Sequence, residues 1–209
     1  MEELIQSIVE KTIEAIPAQT LPNPDEVSYY VLERERRIHL DFDVDQNVMA
    51  IYRMILRWNM EDHGIDPKDR KPIWLYIMSY GGNMDYMWTL VDAIRMSRTP
   101  VYTVNVGVAA SAASLIFLAG HRRYMFPNGK VVIHEGSAQL SGDAVKVMDA
   151  SDSYKKELKR MKDFILDVTR IPRAQLNKKR NNDWELDAAF CLENGVCDRV
   201  VESLDEVLT

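Results

Sequence analysis

The stretch "KPIWLYIMSYGGNMDYMWTLVDAIRMSRTPVYTVNVG", Lys71 to Gly107, switches its hydrophobic period twice. "KPIWLYIMS" is a dense apolar run of strand length. "NMDYMWTLVDAIRMS" spaces its apolar residues for one helix face, and "PVYTVNVG" returns to strand character. Two glycines, Gly81 and Gly82, stand at the first switch. Strand, helix and strand in succession read as stacked α/β units around a mainly parallel sheet.

The alternation continues on both sides. Upstream, "RIHLDF" is a short strand and "DQNVMAIYRMILRWNMED" a helix opened by an acidic cap near Asp45. Downstream, "AASAASLIFLAG" reads as a buried helix closed by Gly120. "RRYMF" and "KVVIHE" read as two short strands joined by "PNGK". A long polar helix follows over roughly 143–169, with Val145, Met148, Leu158, Met161, Phe164, Ile165 and Val168 as its apolar contacts. Pro172 starts a short helix and "NNDW" is a loop. "LDAAFCLENGVCDRVV" ends the chain's regular structure with a helix, a Gly stop and a last strand. Before all this, residues 2–16 carry an amphipathic helical pattern, which the prolines of "PAQTLPNPDE" break. The reading is therefore an N-terminal arm, 1–35, and a main domain, 36–209. The arm suits a packing helix, a gate or a removable pro-segment.

With 209 residues, 46% of them hydrophobic, the chain supports one well-formed core. Its 32 acidic against 26 basic residues argue against nucleic acid as a partner. Two cysteines, Cys191 and Cys197, make neither a disulfide framework nor a CxxC metal pattern, and they fit a reducing compartment. No run reaches the roughly 20 apolar residues that span a bilayer. The mixed charges of "MEELIQSIVEKTIEAIP" do not make a secretory signal. These features predict a soluble, cytoplasmic chain with no membrane partner.

Three features carry chemistry. Glycines in "SYGGNM" let backbone N–H groups approach a ligand and face developing negative charge. Ser111 falls at a helix start, where free N–H groups and the dipole favour an anion. His134 ends the strand "KVVIH", a rigid place for an imidazole. Acyl transfer needs such a set: a hydroxyl, a base near neutral pKa and fixed donors for the oxyanion. Each element alone is common in proteins without catalysis, and no G-x-S-x-G elbow is present.

In order and spacing, however, "YIMSYGG", "GVAASAASLIFLAG", "RRYMFPNGKVVIHEG" and "SGDAVKV" resemble four motifs of the ClpP family, the proteolytic subunits of Clp protease. The resemblance runs from about Arg36 to Val201. It implies a ClpP/crotonase-like spiral of stacked β-β-α units with a long protruding handle helix at about 143–169. It makes Ser111 the nucleophile, His134 the general base, and the N–H groups of Gly82 and Ala112 the oxyanion hole, with Ser114 left to packing. Trp74, Tyr76, Tyr124 and Phe126 fall at positions similar to the family's hydrophobic pocket for an unfoldase loop; ordinary core or interface packing is the alternative reading. The implied activity is a serine endopeptidase acting on unfolded polypeptides, without cofactor or metal. The implied assembly is a tetradecamer of two stacked seven-membered rings, homo-oligomeric or mixed with a second ClpP-type subunit, fed by an AAA+ unfoldase.

The chain departs from the family pattern in four places. Aligned on both the handle and the tail "LDAAFCLENGVCDRV", Lys179 falls where the resemblance implies the triad aspartate. A charged lysine cannot accept a hydrogen bond from imidazole and disfavours an imidazolium. Asn181, Asn182 and Asp183 are then the candidates for a third member, since an Asn carbonyl can also orient the ring. Tyr80 and Gly136 replace two family prolines, and Ala112 a methionine. Two further readings stand beside the peptidase. One is a catalytically inactive ring or scaffold subunit, which Lys179 favours. The other is a crotonase-type acyl-CoA enzyme, which would want a catalytic carboxylate and leave the Ser–His pair unused.

Overall fold

Parallel pairing dominates the sheet that this alternation builds. The structure, a computed structural model, describes residues 23–136, 141–179 and 183–208. The chain divides into two units, Met1–Glu35 and Arg36–Thr209. The first contains helix α1 (Pro24–Arg34). Its first turn begins at a proline, and the Asn23 side chain accepts the Asp25 N–H at 3.0 Å. The helix expected over 2–16 lies outside the described residues.

In the second unit the elements are β1 (Arg37–Leu40), α2 (Val48–Glu61), β2 (Ile73–Ser79), α3 (Met84–Met96), β3 (Val101–Ala110) and α4 (Ala112–Leu118). There follow β4 (Arg122–Met125), β5 (Lys130–Ile133), α5 (Ala144–Val168), α6 (Arg173–Lys179), β6 (Trp184–Asp187), α7 (Ala188–Glu193), β7 (Arg199–Val200) and α8 (Asp205–Leu208). Strands β1-β2-β3-β4-β7 lie side by side in that order, all parallel. The long β3 serves two neighbours along one edge. Tyr102–Asn105 pairs with β4 and Val108–Ala110 with β5. Asn105, fully buried, ties the fork: its Nδ2 donates to the Lys130 carbonyl at 2.9 Å, and its Oδ1 accepts from the Gly107 N–H at 3.1 Å. Strand β6 then adds to β5 antiparallel.

Side-chain alternation gives β2 two different faces. Ile73, Leu75 and Ile77 join Val48, Ile51, Ile55 and Trp58 of α2 and Met87, Leu90, Val91 and Ile94 of α3 in the main core. Each such side chain stabilises the fold by about 1.5–3 kcal/mol. Trp74 and Tyr76 point the other way, into a second cluster with Val104, Val201 and Val207.

Three expectations change. Helix α4 begins only at Ala112, because Val108–Ala110 is still paired with β5. Trp184–Asp187 is a strand rather than a loop running into a helix; its short alternation, buried at Trp184 and Leu186, is easily taken for loop. Finally, Val145 and Met148 are exposed, so only the second part of α5 packs on its own chain.

Candidate active site

Three strand ends meet at one edge of this sheet. Ala110 pairs with Val132, and the Ser111 N–H donates to the Val132 carbonyl at 2.9 Å. This holds Ser111 beside the end of β5, two residues before His134. The antiparallel ladder ends on the pair Ile133↔Trp184, so the next residues outward, His134 and Asp183, face each other. His134 Nδ1 lies 3.1 Å from an Asp183 carboxylate oxygen. Sheet register alone therefore assembles a hydroxyl, an imidazole and a carboxylate that are distant in sequence.

Ser111 occupies φ 52°, ψ −124° between β3 and α4. A positive φ at a residue with a Cβ costs about 1–3 kcal/mol and persists only where the surroundings enforce it. Here β3, the bond to Val132 and the buried helix α4 enforce it, and the serine is thrust out of the strand at a sharp turn. The G-x-S-x-G motif is absent, yet its geometry is present: Ala109 and Ala113 are the small residues two places before and after the serine. Ser114 is fully buried and donates its hydroxyl to the Ser111 carbonyl at 2.6 Å, a helix-packing role.

The glycine pair supplies the facing wall. Gly81 has φ +101°, and a Cβ there would lie 2.7 Å from both the Ala110 oxygen and the Ser111 Cβ. Only glycine lets the loop come this close. Gly82 bridges Val44: the Val44 N–H donates to Gly81 O at 2.8 Å, and the Asn83 N–H donates to Val44 O at 2.7 Å. That pairing leaves the Gly82 N–H outside the ladder. Ala112 is the first residue of α4, so its N–H has no acceptor within the helix.

Gly82, Ser111, Ala112 and His134 line one cavity of about 240 Å³. Tyr80, Met84, Met87, Tyr154 and Met161 complete much of its wall. Of these five, the sequence pattern marks Tyr80, in place of a family proline, and none of the other four for the cavity. The signal was there for two of them: Tyr154 and Met161 are seven residues apart, on one face of α5. A small apolar hollow lies on the other side of His134, between Leu158, Ile165, Leu176 and Trp184.

Of the three candidates for a third member, Asn181 and Asn182 lie outside the described residues, and Asp183 lies beside the imidazole. Lys179 closes α6, four residues earlier, and its side chain is likewise outside them. The antiparallel register of β6, invisible in a linear alignment, is what puts residue 183 opposite His134. The two thiols offer no rival nucleophile. Both are buried, and burial pushes the Cys197 thiol up to about 11 and Cys191 higher still, so neither is a thiolate at neutral pH.

The four aromatics Trp74, Tyr76, Tyr124 and Phe126 do gather in one place, the second cluster. The Trp74 ring lies 5.4 Å from that of Tyr124. Trp74 and Tyr76 are buried within the chain, and the Tyr76 hydroxyl donates to the Val207 carbonyl at 2.6 Å. Arg37 donates to the same carbonyl at 2.6 Å and to that of Leu208. Helix α8 thus closes one side of the patch. No helix among the described residues is long and apolar enough to cross a membrane.

A serine on a sharp strand-to-helix turn, with an imidazole and unladdered N–H groups around one cavity, is an arrangement suited to acyl-transfer chemistry in an α/β protein. Comparison with known proteins narrows it. The sequence model of the Clp protease family matches residues 25–204, and the chain belongs to that family. Over 134 residues, 63% of this chain and 67% of the relative, it is 31% identical to "ATP-dependent Clp protease proteolytic subunit 2" of Treponema pallidum. The protein of the same name from Treponema denticola is 32% identical over 143 residues, 66% of this chain and 70% of the relative. That of Borreliella burgdorferi is 31% identical over 136 residues, 64% of this chain and 69% of the relative.

Proposed function

We propose that this chain is a working serine endopeptidase subunit, with Ser111, His134 and Asp183 as its triad. The single observation carrying the reading is the 3.1 Å contact between His134 Nδ1 and the Asp183 carboxylate. A proton on Nδ1, donated to Asp183, fixes the tautomer that leaves Nε2 free as the base. Nε2 takes the Ser111 proton as Oγ attacks the scissile carbonyl. The N–H groups of Gly82 and Ala112 then receive the oxyanion. The proton on Nε2 passes to the departing amine, and water repeats the sequence to release the acyl group. In this reading Asp183 stabilises the imidazolium throughout, taking the role for which Lys179 is unsuited.

The fuller reading places Ser111 inside a chamber of two stacked seven-membered rings in the cytoplasm, with unfolded polypeptides delivered by an ATP-driven AAA+ unfoldase. Its support is the name the relatives carry and the exposed apolar residues on the first part of α5. Trp74, Tyr76, Tyr124 and Phe126 are the proposed wall of the unfoldase pocket. Ser111→Ala should abolish cleavage of a fluorogenic peptide, by about 10⁴-fold or more, with assembly intact. Cleavage that survives, or failure of Ser111 to react with a fluorophosphonate in the unmodified protein, overturns the assignment.

A further inference from the structure

We propose that the Tyr154 hydroxyl is a positioning group for His134, holding the segment that carries the imidazole in line with Asp183; the proposal rests on the peptidase reading above. The phenol, on α5, donates to the Glu135 carbonyl at 2.7 Å, one residue beyond His134. The β5–β6 ladder stops at Ile133, so the backbone of 134–136 has left the sheet. Among the described residues, Tyr154 makes the one hydrogen bond from another element to the backbone of this segment. The segment has particular need of it. The next residue, Gly136, sits at φ +73° in the position where the family pattern has proline. Proline would lock φ near −65°, whereas glycine leaves both signs open. A shift of this segment moves the imidazole relative to Asp183, which sits just before β6 with a largely exposed carboxylate.

The tether also links His134 to the seating of the whole helix. Three residues after Tyr154, Glu157 accepts the Trp88 Nε1–H of α3 at 2.9 Å, and Arg160 stacks on that indole at 3.9 Å. Met161 and Ile165 then enter the core. Docking of α5 on α3 thereby sets where the phenol stands, and the phenol sets Glu135. Burial raises the Tyr154 phenol above its ordinary value, so it remains a donor through the neutral range.

The test compares the unmodified assembled protein with Tyr154→Phe and Trp88→Phe, by peptide-cleavage kinetics and by the rate of fluorophosphonate labelling at Ser111. Tyr154→Phe keeps the ring and removes only the tether. It should lower kcat by about 10- to 100-fold while KM stays within about 2-fold, with labelling slowed in parallel. Trp88→Phe removes one of several contacts that seat the helix, leaves Met161 and Ile165 in the core and the Tyr154–Glu135 bond in place, and should lower kcat by less than about 3-fold. Thermal unfolding and sedimentation establish that both variants are folded and assembled. An unchanged kcat in Tyr154→Phe overturns the proposal, as does a raised KM at unchanged kcat, which would make the phenol a substrate contact. Equal losses in the two variants would reduce it to helix docking. No labelling of the unmodified protein would instead remove the peptidase reading beneath it.

Discussion

Helix α5 keeps one backbone ladder from Ala144 to Val168, yet its two halves meet different surroundings. Toward its C-terminal end Met161 and Ile165 are buried, Phe164 stacks edge-on against Trp88, and Leu158 and Val168 are half-buried. Toward its N-terminal end Val145 and Met148 are each 68% exposed, among Lys, Asp and Ser side chains. The difference is one of reach. At about 1.5 Å per residue the 25-residue helix is roughly 37 Å long, far more than its contact on the sheet and α3 requires. Its docked half lines the cavity shared by Ser111 and His134. Its undocked half presents apolar side chains that its own chain does not cover, and it is the part we assign to contact between rings.

Three substitutions can break or sharpen this contrast, measured at one protein concentration because assembly feeds into apparent stability. Ile165→Ala, in the docked half, should cost about 2–5 kcal/mol in chemical denaturation, through lost burial and the cavity left behind. Trp88→Phe removes one hydrogen bond to the helix and should cost about 1 kcal/mol. Met148→Ser, in the undocked half, should leave subunit stability within about 0.5 kcal/mol of the parent. It should nonetheless shift sedimentation toward smaller assemblies. If Met148→Ser proves as costly to subunit stability as Ile165→Ala, the two halves are not distinct.

The legible parts of the sequence were those with strong local signals. The apolar runs of β2 and β3, the periodic faces of α2 and α3, and the long α5 are all read from spacing within a dozen residues. Ser111 and His134 could be named because their motifs are local. Trp184–Asp187 could not, because four residues with one alternation make a strand only when β5 is there to pair with them. The sharp bend at Ser111 was equally silent, since Ala109 and Ala113 leave no glycine signature while serving the same steric purpose.

What the sequence determined by itself was the order of the α/β units, the hydroxyl, the imidazole and the glycine pair that can approach them. What only the tertiary structure decided was the imidazole's partner. Read along the chain, a linear match counts residues from neighbouring motifs and puts residue 179 at that place in the family pattern. Folded, the partner is set by hydrogen-bond register across β5 and β6, and that ladder carries His134 to Asp183. The same holds for Tyr154, whose tie to Glu135 exists because α5 is seated on α3. Contacts between distant segments depend on how whole elements dock, and no local pattern records that.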